Sequence, residues 1–269
     1  VLMVCGIPLA CARRQWWALA LLALLLLLEW GLWPYSAEPH LIQSRYGQIE
    51  IRRMGGRPVL LVDGMQQSAL FPVAGPWDGL KDGYLLEAAL KMKPGVRTAL
   101  VVGLGAGLGP RVLATHNIES ESVEIDPEVV EVAHRFFGFT GPVTVADGRM
   151  FLRQSNREWD LIVLDVSTSE RLPWHLFTVE ALQTARRRLS PDGVLAIQFI
   201  GDNSAWSGFV HRTIRAVFDN VLVVAEAGKG NRALPCWAFT DMRGDVKSAM
   251  ARQTIEAEGW RIVDDPAEV

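Results

Sequence analysis

The sequence predicts a doubly wound α/β fold built on a mostly parallel sheet of seven strands, and three observations point there. An ordered series of apolar runs ends each time in glycine or a carboxylate. These are Val101-Val102-Gly103-Leu104-Gly105-Ala106-Gly107, Val123-Glu124-Ile125-Asp126-Pro127, Ala146-Asp147-Gly148 and Asp160-Leu161-Ile162-Val163-Leu164-Asp165. The longer runs are continuously apolar rather than alternating, as strands covered on both faces must be. Stretches with apolar residues at helical spacing separate them, which is the pattern of repeated βαβ units. Ligands bind such sheets at the carboxyl ends of the strands, so the residues closing each run define the candidate site.

Strands are expected at 98–103, 121–125, 143–146, 160–165, 193–199, 221–225 and 235–240, with helices at about 107–116, 127–137, 174–189 and 205–218. Pro127 suits a helix start, where its missing N–H removes no bond. Pro191-Asp192-Gly193 reads as a tight turn feeding a buried strand. Upstream, Gln48–Ile51 and Pro58–Val62 flank Gly55-Gly56 and read as a hairpin, with a turn at Asp63-Gly64 ending the second strand. Two strands alone are marginal, so this piece should pack on the main domain. Phe71 to Gly83 reads as a loop, Tyr84 to Met92 as a helix, and 243–258 as a last amphipathic helix.

From Trp16 to Trp33 the chain is apolar except for Glu29, with Trp16, Trp17, Trp30 and Trp33 at the ends. Eighteen helical residues span about 27 Å, close to a bilayer's hydrocarbon thickness, and tryptophan suits both interfaces. A cleaved signal peptide is the alternative, but the stretch exceeds a usual signal core and Tyr35-Ser36-Ala37 is a poor cleavage site. Arg13 and Arg14 precede the helix while Arg45, Arg52 and Arg53 follow it, so charge alone leaves its orientation open. Four parts result: a membrane anchor (1–36), a β-hairpin region (37–75), a nucleoside-binding catalytic domain (76–242), and a C-terminal helix and tail (243–269).

The 269 residues carry a net charge of −3 with mixed signs, which does not favour nucleic acid as a partner. Three cysteines, Cys5, Cys11 and Cys236, are too few and too scattered for a disulfide framework or a zinc site, and no metal is expected.

Gly103, Gly105 and Gly107 let backbone approach a ligand where a Cβ would clash. Glu124, 21 residues after Gly103, is placed to accept both hydroxyls of a ribose. Asp147 can accept from an adenine amino group while Gly148 lets the ring lie close. Asp165 follows four apolar residues, so a partly desolvated carboxylate facing the crevice is expected, a candidate base. Asp126 is the better cap for the Pro127 helix. His175, beside Trp174, reads as packing.

These residues resemble the spermidine synthase family, the polyamine aminopropyltransferases, including membrane-attached bacterial relatives. Ser44-Arg45-Tyr46-Gly47-Gln48-Ile49 looks like that family's opening strand, and Leu61-Val62-Asp63-Gly64-Met65-Gln66-Gln67 like its Leu-Asp-Gly-x-x-Gln. Val123–Asp126, Asp147-Gly148, Asp160–Asp165, Pro173 with Leu176-Phe177-Thr178-x-Glu180, and Gln198 with Ser204-Ala205-Trp206 continue the series. The resemblance implies a Rossmann-like, S-adenosylmethionine-dependent methyltransferase fold. It also implies that Glu124 holds the ribose, Asp147 and Gly148 the adenine, Gln48 and Gln67 the sulfonium donor, and that Asp165 accepts the proton. Tyr84, Thr168 and Gln198 fall on the acceptor side.

Three positions depart from the family. Ala106 stands where its glycine loop carries an Asp, Thr168 and Ser169 replace a second Asp and the following Pro, and Leu234-Pro235 replaces Tyr-Pro. Burying a diamine's charges without carboxylate partners costs several kcal/mol, so the two lost acids argue against putrescine and tolerate a donor that keeps its carboxylate.

Three readings follow. The chain is an aminopropyltransferase using decarboxylated S-adenosylmethionine, or a methyltransferase using S-adenosylmethionine, or a membrane-tethered adenosyl-binding domain without catalysis. The expected partners are a small amine and, through the N-terminal helix, a membrane, with homodimerisation left open. Because the donors are cytoplasmic, the expected location is a single-pass membrane protein with its catalytic domain in the cytoplasm.

Overall fold

The computed structural model describes residues 40–54, 56–69, 86, 90, 93–166, 173–201, 205–226, 234–240 and 260–263. The expected membrane helix, the loop at 71–83, most of the helix at 84–92, Tyr84, Thr168, Ser169 and the helix at 243–258 lie outside them. Among the described residues, no helix is long and apolar enough to cross a membrane.

A four-stranded antiparallel meander comes first: β1 (His40–Gln43), β2 (Gln48–Met54), β3 (Arg57–Val62) and β4 (Met65–Ala69). The expected hairpin is present as β2–β3, with Met54 opposite Arg57. Asp63-Gly64 does more than end a strand. With φ of 51° and 80°, the pair forms the tight turn that matches strand twist and leads directly into β4. β1 and β4 were not expected.

The larger sheet has β5 (Thr98–Val102), β6 (Glu119–Glu124), β7 (Val143–Val145), β8 (Trp159–Leu164), β9 (Leu189–Gly201), β10 (Val221–Glu226), β11 (Leu234–Thr240) and β12 (Trp260–Val263). Their order is β12-β10-β11-β9-β8-β5-β6-β7. Strands β7, β6, β5, β8 and β9 run parallel, and β11 enters antiparallel beside β9. All seven expected strands are therefore present, and β12 adds an eighth at the edge. Order reverses beside β5, whose neighbours are β6 and β8, so the crevice of a doubly wound sheet opens there.

Five α-helices are described: α1 (Leu108–Thr115), α2 (Pro127–Phe137), α3 (Gly148–Gln154), α4 (Val179–Arg187) and α5 (Ala205–Arg215). Alternate side chains of β5 feed opposite layers. Leu100 and Val102 pack with Leu152, Phe177, Leu182 and Ile214, whereas Ala99 and Val101 pack with Val112, Leu113 and Phe239. Each fully buried Leu, Val, Ile or Phe side chain among them contributes about 1.5–3 kcal/mol relative to exposure.

Helix starts are set by short polar side chains. Asp126 accepts from the Glu128 N–H at 3.0 Å with Pro127 following, and Gly138 ends α2 with a φ of 62°. Asp147 caps α3 and Thr178 caps α4. The expected helix at 174–189 is split, because Thr178 takes the cap position and leaves Trp174–Leu176 as a separate 3-10 turn. Helix α3 was not foreseen. The expected turn at Pro191-Asp192-Gly193 is instead a bulge inside β9, between the pairs Trp159–Leu189 and Leu161–Val194. The Asp160 carboxylate fills it by accepting from Ser190 Oγ at 2.9 Å.

Candidate active site

Strand β5 ends in Gly103, which has a φ of 95° and donates its N–H to the Val123 carbonyl at 2.8 Å. A Cβ here would lie 1.8 Å from the Asp165 carbonyl oxygen, so only glycine lets the ends of β5 and β8 close together. The Asp165 N–H in turn donates to the Val102 carbonyl at 2.8 Å. The loop then folds under the meander: the Ala106 N–H donates to Ser68 Oγ at 3.2 Å.

These strand ends enclose a cavity of about 360 Å³ between the large sheet and the meander. Gly103, Gly105, Glu124, Asp147, Gly148, Gln67 and Asp165 all line it, as expected from the sequence. They arrive from the ends of β5, β6, β7, β8 and from β4.

Glu124 is buried, with 9% of its surface exposed. Its two carboxylate oxygens accept separately, Oε2 from the Leu104 N–H at 2.9 Å and Oε1 from the Asp126 N–H at 3.0 Å. Burial pushes its carboxyl above the usual range, against the pull of the backbone N–H groups of Asp126, Leu104 and Ile125. A carboxylate has about four acceptor positions, so acceptor capacity remains for a ligand's hydroxyl beyond these backbone bonds.

Asp147 spends Oδ1 on the Met150 N–H at 2.8 Å, while Oδ2 lies 3.1 Å from His175 Nε2. Gly148 is held against β5: an added Cβ would meet Val102 Cγ1 at 2.3 Å. Its lack of a side chain therefore serves helix–sheet packing as well as the cavity floor.

Several expectations need correction. Asp165 is exposed rather than partly desolvated, because it leaves the sheet at the rim where β8 ends. Gly107 does not line the cavity; a Cβ there would strike the Phe139 ring at 2.7 Å, so it serves packing at the start of α1. Gln48 lies on the meander away from the cavity, its N–H held by Asp63 Oδ1 at 2.8 Å. Gln198 is buried in β9, one strand beyond β8 and opposite Trp237 of β11, and is not in the cavity wall. Tyr84 and Thr168 are outside the described residues.

Three further cavity residues escaped the sequence reading: Tyr46, Ser68 and His175. Ser68 was hidden because β4 was not recognised, and the imidazole of His175 meets Asp147 rather than serving only as packing. Ala106, by contrast, is fully buried among Ile49, Ile51, Leu60, Val129 and Phe137. Its side chain faces an apolar seam between meander and α2. Among the described residues, no group of three His, Cys, Asp or Glu side chains could hold a metal ion.

A glycine bend, an acid closing β6 and an Asp capping the helix after β7 meet at the strand ends, where doubly wound α/β proteins bind their ligands. Residues 82–223, just over half of the chain, match the spermine/spermidine synthase domain, and the chain belongs to that family. A stretch of 137 residues, 48% of the chain, is 37% identical to the N-terminal histidine N-methyltransferase of Emericella nidulans and covers 25% of that protein. Another of 152 residues, 52% of the chain, is 31% identical to the polyamine aminopropyltransferase of Vibrio vulnificus and covers 51% of it. The chain thus spans from a quarter to about half the length of these relatives, both of which are named as transferases. A spermidine synthase solved with the transition state analogue AdoDATO superposes with a TM-score of 0.64 at 21% identity, over 82% of this chain and 77% of that one. At that identity the likeness speaks for the fold, which is Rossmann-like with a mostly parallel sheet.

Proposed function

We propose that this chain is a transferase that moves an alkyl group from an S-adenosyl sulfonium donor to an amine nitrogen. The observation that carries the reading is the convergence of Glu124, Asp147 and Asp165, closing β6, β7 and β8, on one cavity around Gly103. Glu124 would take the ribose hydroxyls and Asp147 the adenine amino group, leaving the sulfonium near the ends of β5 and β8. Asp165 would then face the amine.

The chemistry asks little more. The acceptor ammonium gives a proton to the Asp165 carboxylate. The freed lone pair attacks the carbon bonded to sulfur, the C–N bond forms as the C–S bond breaks, and the electron pair returns to sulfur as a thioether. Positioning supplies most of the acceleration, because the sulfonium carbon is already electrophilic. Being exposed, Asp165 would act by position and charge.

Family membership favours the aminopropyl group of decarboxylated S-adenosylmethionine and a small amine acceptor. A second reading, methyl transfer from S-adenosylmethionine, is favoured by Ala106, whose apolar surroundings offer no anion for a donor's lone ammonium. We further propose that the N-terminal apolar segment tethers the domain to a membrane on the cytoplasmic side, where such donors occur; protease accessibility in intact and lysed spheroplasts tests this.

Asp165→Asn tests the mechanism. Turnover should fall by about 10²–10⁴-fold, the usual worth of a positioned base, with adenosyl-ligand affinity unchanged. Retained turnover removes Asp165 as the base. A third reading, a non-catalytic adenosyl-binding domain, predicts no product with either donor and any amine.

A further inference from the structure

Ser68 is a buried side chain with unused capacity at the edge of the cavity. Only 7% of its surface is exposed, it lines the cavity next to Gln67, and its Oγ accepts the Ala106 N–H at 3.2 Å. Among the described residues, its own O–H proton makes no hydrogen bond. A buried donor left without an acceptor is unfavourable, so beside a cavity this O–H gains by donating to a bound ligand. Gly105 makes the room, since a Cβ there would lie 2.7 Å from Ser68 Oγ.

Around this hydroxyl the wall carries Gln67, Gly103, Leu104 and Gly105, and Asp165, across from Gly103 in the same lining, is the group assigned above to the acceptor amine. Of the nearby carboxylates, Glu124 is bound by two backbone N–H groups and Asp126 caps α2. Asp147 is engaged by Met150 and His175. A ligand tail reaching Ser68 thus meets an O–H that must donate. An ammonium has no lone pair with which to accept it, whereas a carboxylate does.

We infer that Ser68 recognises the amino-acid tail of the donor and selects a donor that keeps its carboxylate, intact S-adenosylmethionine. This specificity rests on the adenosyl-donor reading above and, within it, assigns the transferred group as methyl. Ala106 contributes by leaving the loop without a competing acid, and Gly105 by admitting the hydroxyl.

Calorimetry on the full chain with three adenosyl thioethers separates the possibilities. Methylthioadenosine has no amino tail, decarboxylated adenosylhomocysteine carries only the amine, and adenosylhomocysteine carries amine and carboxylate. The wild type should bind adenosylhomocysteine about tenfold or more tightly than its decarboxylated form, the worth of one hydrogen bond to a charged group. Ser68→Ala should erase that preference and leave methylthioadenosine affinity unchanged, and Ser68→Thr, which restores the hydroxyl, should keep it. Equal binding of the two tailed ligands by the wild type, or a preference surviving in Ser68→Ala, overturns the proposal while the nucleoside site stands. A uniform loss across all three ligands in Ser68→Ala also overturns it, reducing Ser68 to a prop for the loop. Failure of the wild type to bind methylthioadenosine overturns the donor reading itself.

Discussion

Glu124→Gln removes one charge with hardly any change of shape, and its consequences can be worked through atom by atom. The carboxylate accepts two backbone N–H groups on its two oxygens, at 2.9 Å from Leu104 and 3.0 Å from Asp126. A glutamine amide offers one accepting oxygen and one donating NH₂, so in either orientation an NH₂ faces a backbone N–H. One buried donor is then unsatisfied, at about 1–3 kcal/mol. Relief of the carboxylate's burial offsets part of this, which places the net loss at roughly 1–2 kcal/mol and the fall in Tm at about 2–8 °C.

The same substitution should weaken adenosylhomocysteine by about tenfold or more, since it removes charge-assisted acceptance from the ribose. pH supplies a second axis. Burial raises the folded-state pKa of Glu124 above its ordinary 4.5. Below the unfolded value both states hold the proton and the group's contribution is fully present; it is lost as pH rises through the folded value. The wild type's stability margin over Glu124→Gln should therefore be widest in acid and narrow as pH rises from about 4.5. Denaturant titrations at several pH values, run beside calorimetry, read both effects. A variant with unchanged Tm and unchanged ligand affinity would refute the assignment of Glu124 as the joint between loop, strand and ligand.

Gly103→Ala should destabilise the fold by about 3 kcal/mol or more, because a Cβ 1.8 Å from the Asp165 carbonyl must displace backbone. Thermal denaturation checks it, and a wild-type Tm would show that the strand ends can part freely. Ala106→Asp, which restores the acid typical of the family, should lower stability by several kcal/mol through burying a carboxylate among Ile49, Leu60 and Val132. A stable Ala106→Asp protein with improved affinity for decarboxylated adenosylhomocysteine would contradict this. Asp160→Ala should destabilise by about 1–3 kcal/mol while sparing ligand affinity, because its carboxylate serves Arg97, Thr98 and Ser190 at the far ends of the strands. Burial pushes the Asp160 carboxyl up, but those hydrogen bonds outweigh it and hold the pKa below 3.8. Its contribution should thus be present above that value and fade as pH falls through the folded one, a loss that acid titration of Asp160→Ala would lack.

The parallel sheet was legible in the sequence because its strands are buried on both faces. Val101-Val102 and Leu161 to Leu164 are apolar without a break, and their final residues, Gly103, Glu124, Asp147 and Asp165, fall at strand ends by chain order alone. Pro127 and Asp126 likewise marked the start of α2 through local chemistry. The meander's outer strands were harder: His40–Gln43 and Met65–Ala69 are short and mixed in polarity, and only pairing with β2 and β3 makes them strands. Tertiary structure also separated residues of similar appearance. Gly103 and Gly107 both have positive φ, yet one faces the Asp165 backbone and the other the Phe139 ring. Gln67 and Gln48 both sit in family-like segments, but only Gln67 reaches the cavity. Ser68 beside Ala106 and His175 beside Asp147 lie 38 and 28 positions apart in the chain. Sequence periodicity reports which side of an element is buried, and contacts across such distances arise only when separate elements pack.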